Sequence, residues 1–187
     1  MIRIGMFFAE GFEEAEAIVP ADMLRRAGID VRLVSITGRK EVTGSHKITI
    51  TTDMLFDKKE CESFDMLVLP GGMPGTVNLE KCGELCSLIR EYADKNMPLA
   101  AICRAPTIFG HMGILKGRRA CCYPGFENEL EGAKVVTDME AVSDGNIITS
   151  RGAGCAHAFA LAIISRFMGE EKASEIARGI VYGENDS

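Results

Sequence analysis

Short apolar runs alternate along the chain with longer amphipathic segments. Three of the short runs, "MFF", "MLVL" and "LAAI", lack the polar alternation of a half-exposed strand and are typical of strands buried on both faces. The segments with the spacing of amphipathic helices are Glu13–Ala27, Cys82–Asn96, Ala105–Leu115, Cys155–Met168 and Glu171–Val181. This alternation predicts an α/β fold in three layers, with helices on both sides of a mostly parallel sheet.

Residues 39–53 and 134–150 depart from this pattern and are predicted to form small antiparallel additions. The second of these segments contains "SDGN", which is a typical hairpin turn between two short strands. The chain has no internal repeat, low-complexity stretch or linker composition. We therefore expect a single domain over residues 1–187.

The formal net charge is −6, and no basic run is longer than "GRR". This balance argues against nucleic acid or an anionic membrane surface as a partner, and favours small molecules or proteins. No apolar run approaches the roughly 20 residues of a membrane span, and the first residues do not resemble a signal peptide. We expect a cytoplasmic protein.

Seven cysteines and three histidines are scattered along the chain. An odd cysteine count without paired CxxC motifs favours neither a disulfide framework nor a zinc site, so no metal is predicted. Free thiols in a reducing compartment are the expectation, and most buried cysteines only fill space.

Cys103 differs from the other cysteines because it ends the apolar run "PLAAIC" and precedes a predicted helix with Pro106 in its first turn. Ligands of open parallel sheets bind beyond the carboxyl ends of the strands. Backbone N–H groups at a helix start would lower the pKa of a thiol there and favour the nucleophilic thiolate. Cys155 is a weaker alternative, because its strand "NIITS" is predicted to lie in the antiparallel hairpin.

Glu16 lies on an otherwise apolar helical stripe that also contains Phe12, Val19, Met23 and Ala27. A buried carboxyl has a raised pKa, so Glu16 could donate a hydrogen bond to a thiolate or act as a general acid and base. If the first turn of the helix frays, Glu16 is instead solvated.

Two other features of this helix have simpler expectations. Glu13 and Glu14 are expected to be surface charges that favour the helix start. Pro20 should bend the helix or lie where its lost hydrogen bond is tolerated.

The loop "LPGG" follows another buried strand. Gly71 and Gly72 allow the backbone to approach a ligand closely with its N–H groups exposed. The loop lacks the spacing of a dinucleotide or phosphate loop, so no nucleotide or flavin cofactor is expected.

Four segments together resemble the DJ-1 subfamily of the ThiJ/PfpI superfamily, of deglycase and glyoxalase type. They are "FAEGFEEAEAIVPADMLRRAGIDV", "LVLPGGMPGTVNL", "AAICRAPTIFG" and "ITSRGAGCAHAFALAII". The resemblance implies a flavodoxin-like α/β/α sandwich, a homodimer and no cofactor. It also implies a nucleophilic, oxidation-sensitive cysteine at Cys103 and a protonated glutamate at Glu16.

The same resemblance assigns further residues to the site. Backbone donors for an oxyanion are expected at Gly71, Gly72 and Arg104. The residues expected to line the pocket are Tyr123, Thr107, Arg26, His46 and Arg151, with His46 at a position where some members contribute a basic residue from the dimer partner.

Two positions depart from the family's pattern. Arg104 stands where protease-like members have a histidine, so a Cys–His proteolytic dyad is not expected. Tyr123 stands where several glyoxalase-active members have a histidine. A phenol ionises near pH 10 and an imidazole near pH 6.5, so a tyrosine is the poorer proton shuttle at neutral pH.

Two functions follow from these residues. The first is a cysteine-dependent enzyme that converts small reactive carbonyls, in which Cys103 adds to an aldehyde and Glu16 transfers the proton. The alternative is a redox-sensing stress or chaperone protein, in which Cys103 is oxidised to a sulfinate that Glu16 holds.

Overall fold

A seven-stranded sheet forms the centre of the protein in a computed structural model that describes residues 1–183. The strands of the chain are β1 (Arg3–Phe8), β2 (Asp30–Ser35), β3 (Glu41–Thr43), β4 (Thr49–Thr51), β5 (Met54–Leu55), β6 (Met66–Leu69), β7 (Leu99–Ile102), β8 (Arg119–Ala120), β9 (Lys134–Val135), β10 (Ala141–Asp144) and β11 (Ile147–Ser150). The order in the sheet is β10-β11-β7-β6-β1-β2-β5, and every pair is parallel except β10 with β11. The last four residues of the expected 1–187 domain lie outside the described residues.

Helices cover both faces of this sheet. They are α1 (Glu14–Arg26), α2 (Lys58–Cys61), α3 (Gly75–Lys81), α4 (Gly83–Asp94), α5 (Pro106–His111), α6 (Ala156–Met168) and α7 (Glu170–Gly179). Helices α1, α6 and α7 pack in the core on one face, and α2 to α5 pack in the core on the other. The predicted three-layer α/β class is confirmed.

Strand β1 shows why the apolar runs lack alternation. Ile4, Met6 and Phe8 belong to the core on the α1 side, whereas Phe7 belongs to the core on the opposite side, and all four are fully buried. Gly5 leaves room for an aromatic neighbour, because a Cβ there would lie 2.5 Å from the Phe64 ring. A strand with both faces buried needs apolar or very small residues at every position.

The antiparallel additions are confirmed in part. Strands β3 and β4 pair antiparallel as a separate two-stranded sheet, and the hairpin of β10 and β11 extends the edge of the main sheet. Strand β9 is different, because it pairs in parallel with β8 in a third small sheet. The segment "RACCY" is a strand only at Arg119–Ala120.

Helix boundaries differ most where turns interrupt the amphipathic spacing. Helix α5 ends at His111, four residues before the predicted end, and turns follow it. The sequence pattern did not predict the short helices α2 and α3. Within the described residues, no helix is both long enough and apolar enough to span a bilayer.

Candidate active site

Cys103 occupies a sharp turn directly after β7, and its φ of +65° lies in the left-handed region that a non-glycine residue seldom adopts. Two backbone hydrogen bonds hold this conformation. The Cys103 N–H donates to the Ser150 carbonyl at 2.9 Å, and the Cys103 carbonyl accepts from the Tyr123 N–H at 2.7 Å. The thiol is therefore fixed at the carboxyl end of a central strand, where open α/β sheets bind ligands.

Helix α5 begins at Pro106, three residues beyond the cysteine, so Cys103 is not itself at the helix start. Burial raises the pKa of the Cys103 thiol, and the negative charge of Glu16 raises it further. The expectation of a thiol pKa below its free value is therefore wrong for the state in which Glu16 is ionised.

Glu16 is buried in the first turns of α1, with only 2% of its surface exposed, as the apolar stripe predicts. Its carboxyl oxygen Oε2 accepts a hydrogen bond from the Gly71 N–H at 3.0 Å, and the carboxyl faces the Cys103 sulfur. Burial raises the pKa of Glu16 to about 7, and the hydrogen bonds from Cys103 and Gly71 oppose this shift only in part.

The two acids interact so closely that their ionisation belongs to the pair. When the proton lies on Glu16, the carboxyl no longer repels the sulfur and can donate a hydrogen bond to the thiolate. The backbone N–H groups of Gly72 and Arg104 also favour the charged sulfur. The nucleophilic form of the site is thus the thiolate paired with a protonated carboxyl.

The two glycines of "LPGG" have different functions in this geometry. The Gly71 N–H is engaged by Glu16, so Gly71 positions the carboxyl and is not free as an oxyanion donor. Gly72 has a φ of +96°, and a Cβ at this position would lie 2.3 Å from the Glu13 backbone nitrogen. Only glycine fits at residue 72, and its N–H is left to face Cys103.

Gly71→Ala is expected to separate the two acids, because the added Cβ would lie 2.6 Å from both the Cys103 Cβ and the Glu16 Oε2. Overpacking of this kind costs about 1–3 kcal/mol of stability. We expect this loss in urea unfolding, together with slower alkylation of Cys103. Gly83→Ala is the matched control, because a Cβ at Gly83 meets nothing within 4 Å. Equal effects of both substitutions would contradict the proposed contact.

A pocket of about 390 Å³ opens above the sulfur. The residues that line it are Glu13, Glu16, His46, Gly72, Met73, Cys103, Arg104, Tyr123, Phe126 and Ala153. Tyr123 and His46, which the resemblance placed at the pocket, are both in its lining, and His46 lines the pocket of its own chain. Met73, Phe126 and Ala153 were missed, because their apolar side chains follow turns and have no periodic signal.

Three of the residues predicted to line the pocket lie elsewhere. Arg26 is ten residues from Glu16, about 15 Å along α1, and pairs with Asp22 at 2.7 Å. Thr107 is buried in the first turn of α5, and Arg151 is half-buried after β11; neither contributes to the lining. These positions were inferred from motif membership alone, which does not specify where a side chain points.

Glu14 also differs from its expectation as a surface charge. It is 7% exposed, and its Oε1 accepts from the His46 N–H at 2.8 Å, which fastens the turn before β4 to the start of α1. Burial opposes its ionisation, but hydrogen bonds from its own backbone, His46 and Ile48 outweigh this effect and lower the pKa of Glu14. Through this contact Glu14 brings His46 to the mouth of the pocket.

Glu13, Glu14 and His46 have donor atoms within 4.8 Å of one another, which is a spacing that could suit a metal ion. The hydrogen bonds within this group account for the cluster without a metal. The His46 Nδ1 lies 3.1 Å from Glu14 and 3.3 Å from Glu13, and the imidazole is 70% exposed.

Comparison with known proteins identifies the family. The model of the DJ-1/PfpI family matches residues 2–166. This chain belongs to the DJ-1/PfpI family. Protein dj-1beta of Drosophila melanogaster is 36% identical over 181 residues, which cover 96% of this chain and 97% of that protein. A deglycase of Pyrococcus horikoshii is 38% identical over 152 residues, which cover 80% of this chain and 90% of the deglycase.

Other members of the DJ-1/PfpI family differ in length or state. DJ-1 homolog A of Arabidopsis thaliana is 38% identical over 171 residues, which cover 91% of this chain but only 43% of that protein, so the chain spans less than half of it. A DJ-1 superfamily protein of Salmonella typhimurium, crystallised as a cysteine-to-alanine mutant, superposes with a TM-score of 0.91 at 32% identity, covering 98% of this chain and 100% of that one. Oxidised DJ-1 of Toxoplasma gondii also gives 0.91, at 28% identity and with the same coverage.

Proposed function

We propose that this protein is a cysteine-dependent enzyme that converts small 2-oxoaldehydes to 2-hydroxy acids without a cofactor, with Cys103 as nucleophile and Glu16 as general acid and base. The observation that supports it most is the contact between the buried Glu16 carboxyl and the Cys103 sulfur at the floor of the pocket. A carboxyl with a pKa raised to about 7 is suited to both donating and accepting a proton near neutral pH.

The first step is addition of the Cys103 thiolate to the aldehyde carbon. A carbon–sulfur bond forms, and the carbonyl π electrons move to the oxygen, giving a hemithioacetal. The negative charge moves from the sulfur to the former aldehyde oxygen, which is bonded to the attacked carbon. This oxygen lies in the region that the N–H groups of Gly72 and Arg104 face. Tyr123, at the pocket wall, contributes a phenolic hydrogen-bond donor but not a proton shuttle.

Glu16 then moves a proton between adjacent carbons. Addition leaves a negative oxygen, which takes the proton of Glu16, so Glu16 becomes a carboxylate. That carboxylate then removes the proton from the former aldehyde carbon. The resulting enediol takes this proton back on the neighbouring carbon, while the hydroxyl on the first carbon gives up its proton to become the thioester carbonyl. The aldehyde carbon is thereby oxidised to a thioester while the ketone carbon is reduced to an alcohol. Water cleaves the thioester, releases the 2-hydroxy acid and restores Cys103, so no external oxidant or reductant is needed.

The name of the P. horikoshii relative is consistent with this chemistry, because deglycation also begins at a carbonyl-derived carbon. The expected homodimer and cytoplasmic location belong to the same proposal. Light scattering of the purified protein tests the dimer.

Redox sensing is the second candidate function, and the same contact favours it. Oxidation of Cys103 by a peroxide to a sulfinate adds two oxygens to the sulfur. A protonated Glu16 would donate a hydrogen bond to that group. The solved structure of the T. gondii relative is of an oxidised form.

One pair of measurements separates the two functions. Purified protein is given methylglyoxal and assayed for lactate, and a second sample is treated with mild peroxide and analysed by intact mass. Lactate that disappears in Glu16→Gln supports the enzyme. If the wild type forms no lactate while peroxide adds two oxygens at Cys103, the enzyme proposal fails and redox sensing is favoured.

A further inference from the structure

Arg104 lines the pocket next to the nucleophile, and its side chain contacts two other lining residues, Met73 and Phe126. Its guanidinium carbon lies 4.3 Å from the centre of the Phe126 ring, and its Nη1 donates to the Met73 sulfur at 3.2 Å. The stacked ring and the thioether hold the guanidinium in one place. The family resemblance assigns a function to the backbone N–H of Arg104 but none to its guanidinium.

Most of the hydrogen-bonding capacity of this guanidinium is unused. Arginine has five N–H donors, whereas within residues 1–183 its side chain makes one hydrogen bond, to a thioether, which is a weak acceptor. The Glu129 carboxylate forms an ion pair with the guanidinium, but at 3.8 Å from Nη2 it is too far away to accept a hydrogen bond, so the N–H donors are not used by it. A fork of donors that is held rigidly but not saturated is suited to bind a carboxylate or phosphate.

The other charges of the lining do not cancel this cation. The Glu13 carboxylate lies 3.3 Å from the His46 Nδ1. A hydrogen bond to Glu14 and the charges of Glu13 and Glu14 raise the pKa of His46, which favours the imidazolium form beside Glu13. Glu16 is neutral in the reactive form of the pair, and Arg104 is the arginine among the residues that line the pocket.

We propose that the Arg104 guanidinium is a specificity-determining group that selects carbonyl substrates with a carboxylate or phosphate close to the reacting carbon. This inference rests on the proposed function for the identity of the reaction, but the charge selection itself is a property of the pocket around Cys103. The preferred substrates are 2-oxoaldehydes with an anionic group beyond the ketone. These substrates would react by the steps given above, in which one carbon is oxidised as its neighbour is reduced, and the anionic group would remain unchanged.

Paired alkylation of Cys103 tests the charge selection without any turnover. Iodoacetate and iodoacetamide form the same sulfur–carbon bond with loss of iodide, but only the first is an anion. The rate constant for iodoacetate divided by that for iodoacetamide therefore reports the charge near the sulfur. We expect this ratio to fall about three- to ten-fold in Arg104→Gln, as removal of one unit charge at close range predicts.

Two further variants exclude a structural explanation. Arg104→Lys keeps the charge and should retain most of the ratio. Arg26→Gln removes the same charge outside the pocket and should leave the ratio at its wild-type value. If Arg104→Gln slows both reagents equally, or leaves the ratio unchanged, Arg104 does not select anions and the inference is overturned.

Turnover gives the second measurement. In the wild type, kcat/KM for 4,5-dioxopentanoate, which would yield 2-hydroxyglutarate, should exceed that for the uncharged 2-oxopentanal, and Arg104→Gln should remove the preference mainly through KM. Equal kcat/KM values for the two compounds in the wild type would overturn the inference. If neither compound is turned over, the proposed function fails, and the alkylation ratio alone decides the role of Arg104.

Discussion

Cys103→Ser is expected to lower lactate formation from methylglyoxal by at least about a thousand-fold. A hydroxyl is far less acidic than a thiol, and Glu16 is too weak a base to generate an alkoxide from it. The serine oxygen would occupy nearly the same place, so the pocket and the turn at residue 103 should be preserved. The rate is measured with protein whose circular dichroism and melting temperature match the wild type.

Cys155→Ser is the matched control for this prediction. Cys155 is half-buried at the end of a short 3-10 helix and does not line the pocket, so the same sulfur-to-oxygen change there should leave the rate unchanged. The pattern of strands already favoured Cys103 over Cys155. If Cys155→Ser abolishes the activity and Cys103→Ser does not, the nucleophile has been misassigned.

The position of the two catalytic candidates could be predicted from sequence because each depends on local periodicity. Glu16 interrupts an apolar stripe in α1, and a stripe residue of a helix packed on a sheet has to be buried. Cys103 follows a strand apolar on both faces, and the carboxyl ends of parallel strands meet at one edge of the sheet.

The contacts that tune the site could not be predicted in this way. Whether the Gly71 N–H points to the sulfur or to Glu16 depends on backbone torsions 55 residues away from Glu16 in sequence. Glu14 was expected at the surface because an acidic residue at a helix start is usually solvated. Its burial results from a turn some thirty residues later, which supplies the backbone N–H of His46.

The start of α5 and the environment of the Cys103 thiol also could not be predicted in full from the sequence. The residues "CRAP" predict a helix close to Cys103, but the positive φ of the cysteine inserts a turn before α5 begins. The thiolate is therefore stabilised by two nearby N–H groups and by the protonation state of Glu16, not by a helix terminus. The reactivity proposed for Cys103 thus depends on Glu16, which is distant in the sequence but in contact with the sulfur.

Glu16→Gln is expected to change how stability depends on pH. In the folded protein burial raises the pKa of Glu16 to about 7, from an ordinary value of 4.5. Between these values the folded state binds more protons than the unfolded state, so the contribution of Glu16 to stability is full below about pH 4.5 and is lost as pH rises to about 7. The wild type should lose about 2–3 kcal/mol between pH 5 and pH 8 from this group alone.

Glutamine cannot ionise, so Glu16→Gln should lack this pH-dependent loss of stability. Because its amide oxygen can still accept a hydrogen bond from the Gly71 N–H, the variant should be more stable than the wild type at pH 8. Urea unfolding at pH 5 and pH 8 measures the difference. Glu171→Gln, at an exposed position on α7, is the matched control and should follow the wild type. If Glu16→Gln shows the same pH dependence as Glu171→Gln, then Glu16 is ionised in the folded protein at pH 5, and it cannot supply the proton that keeps Cys103 as a thiolate.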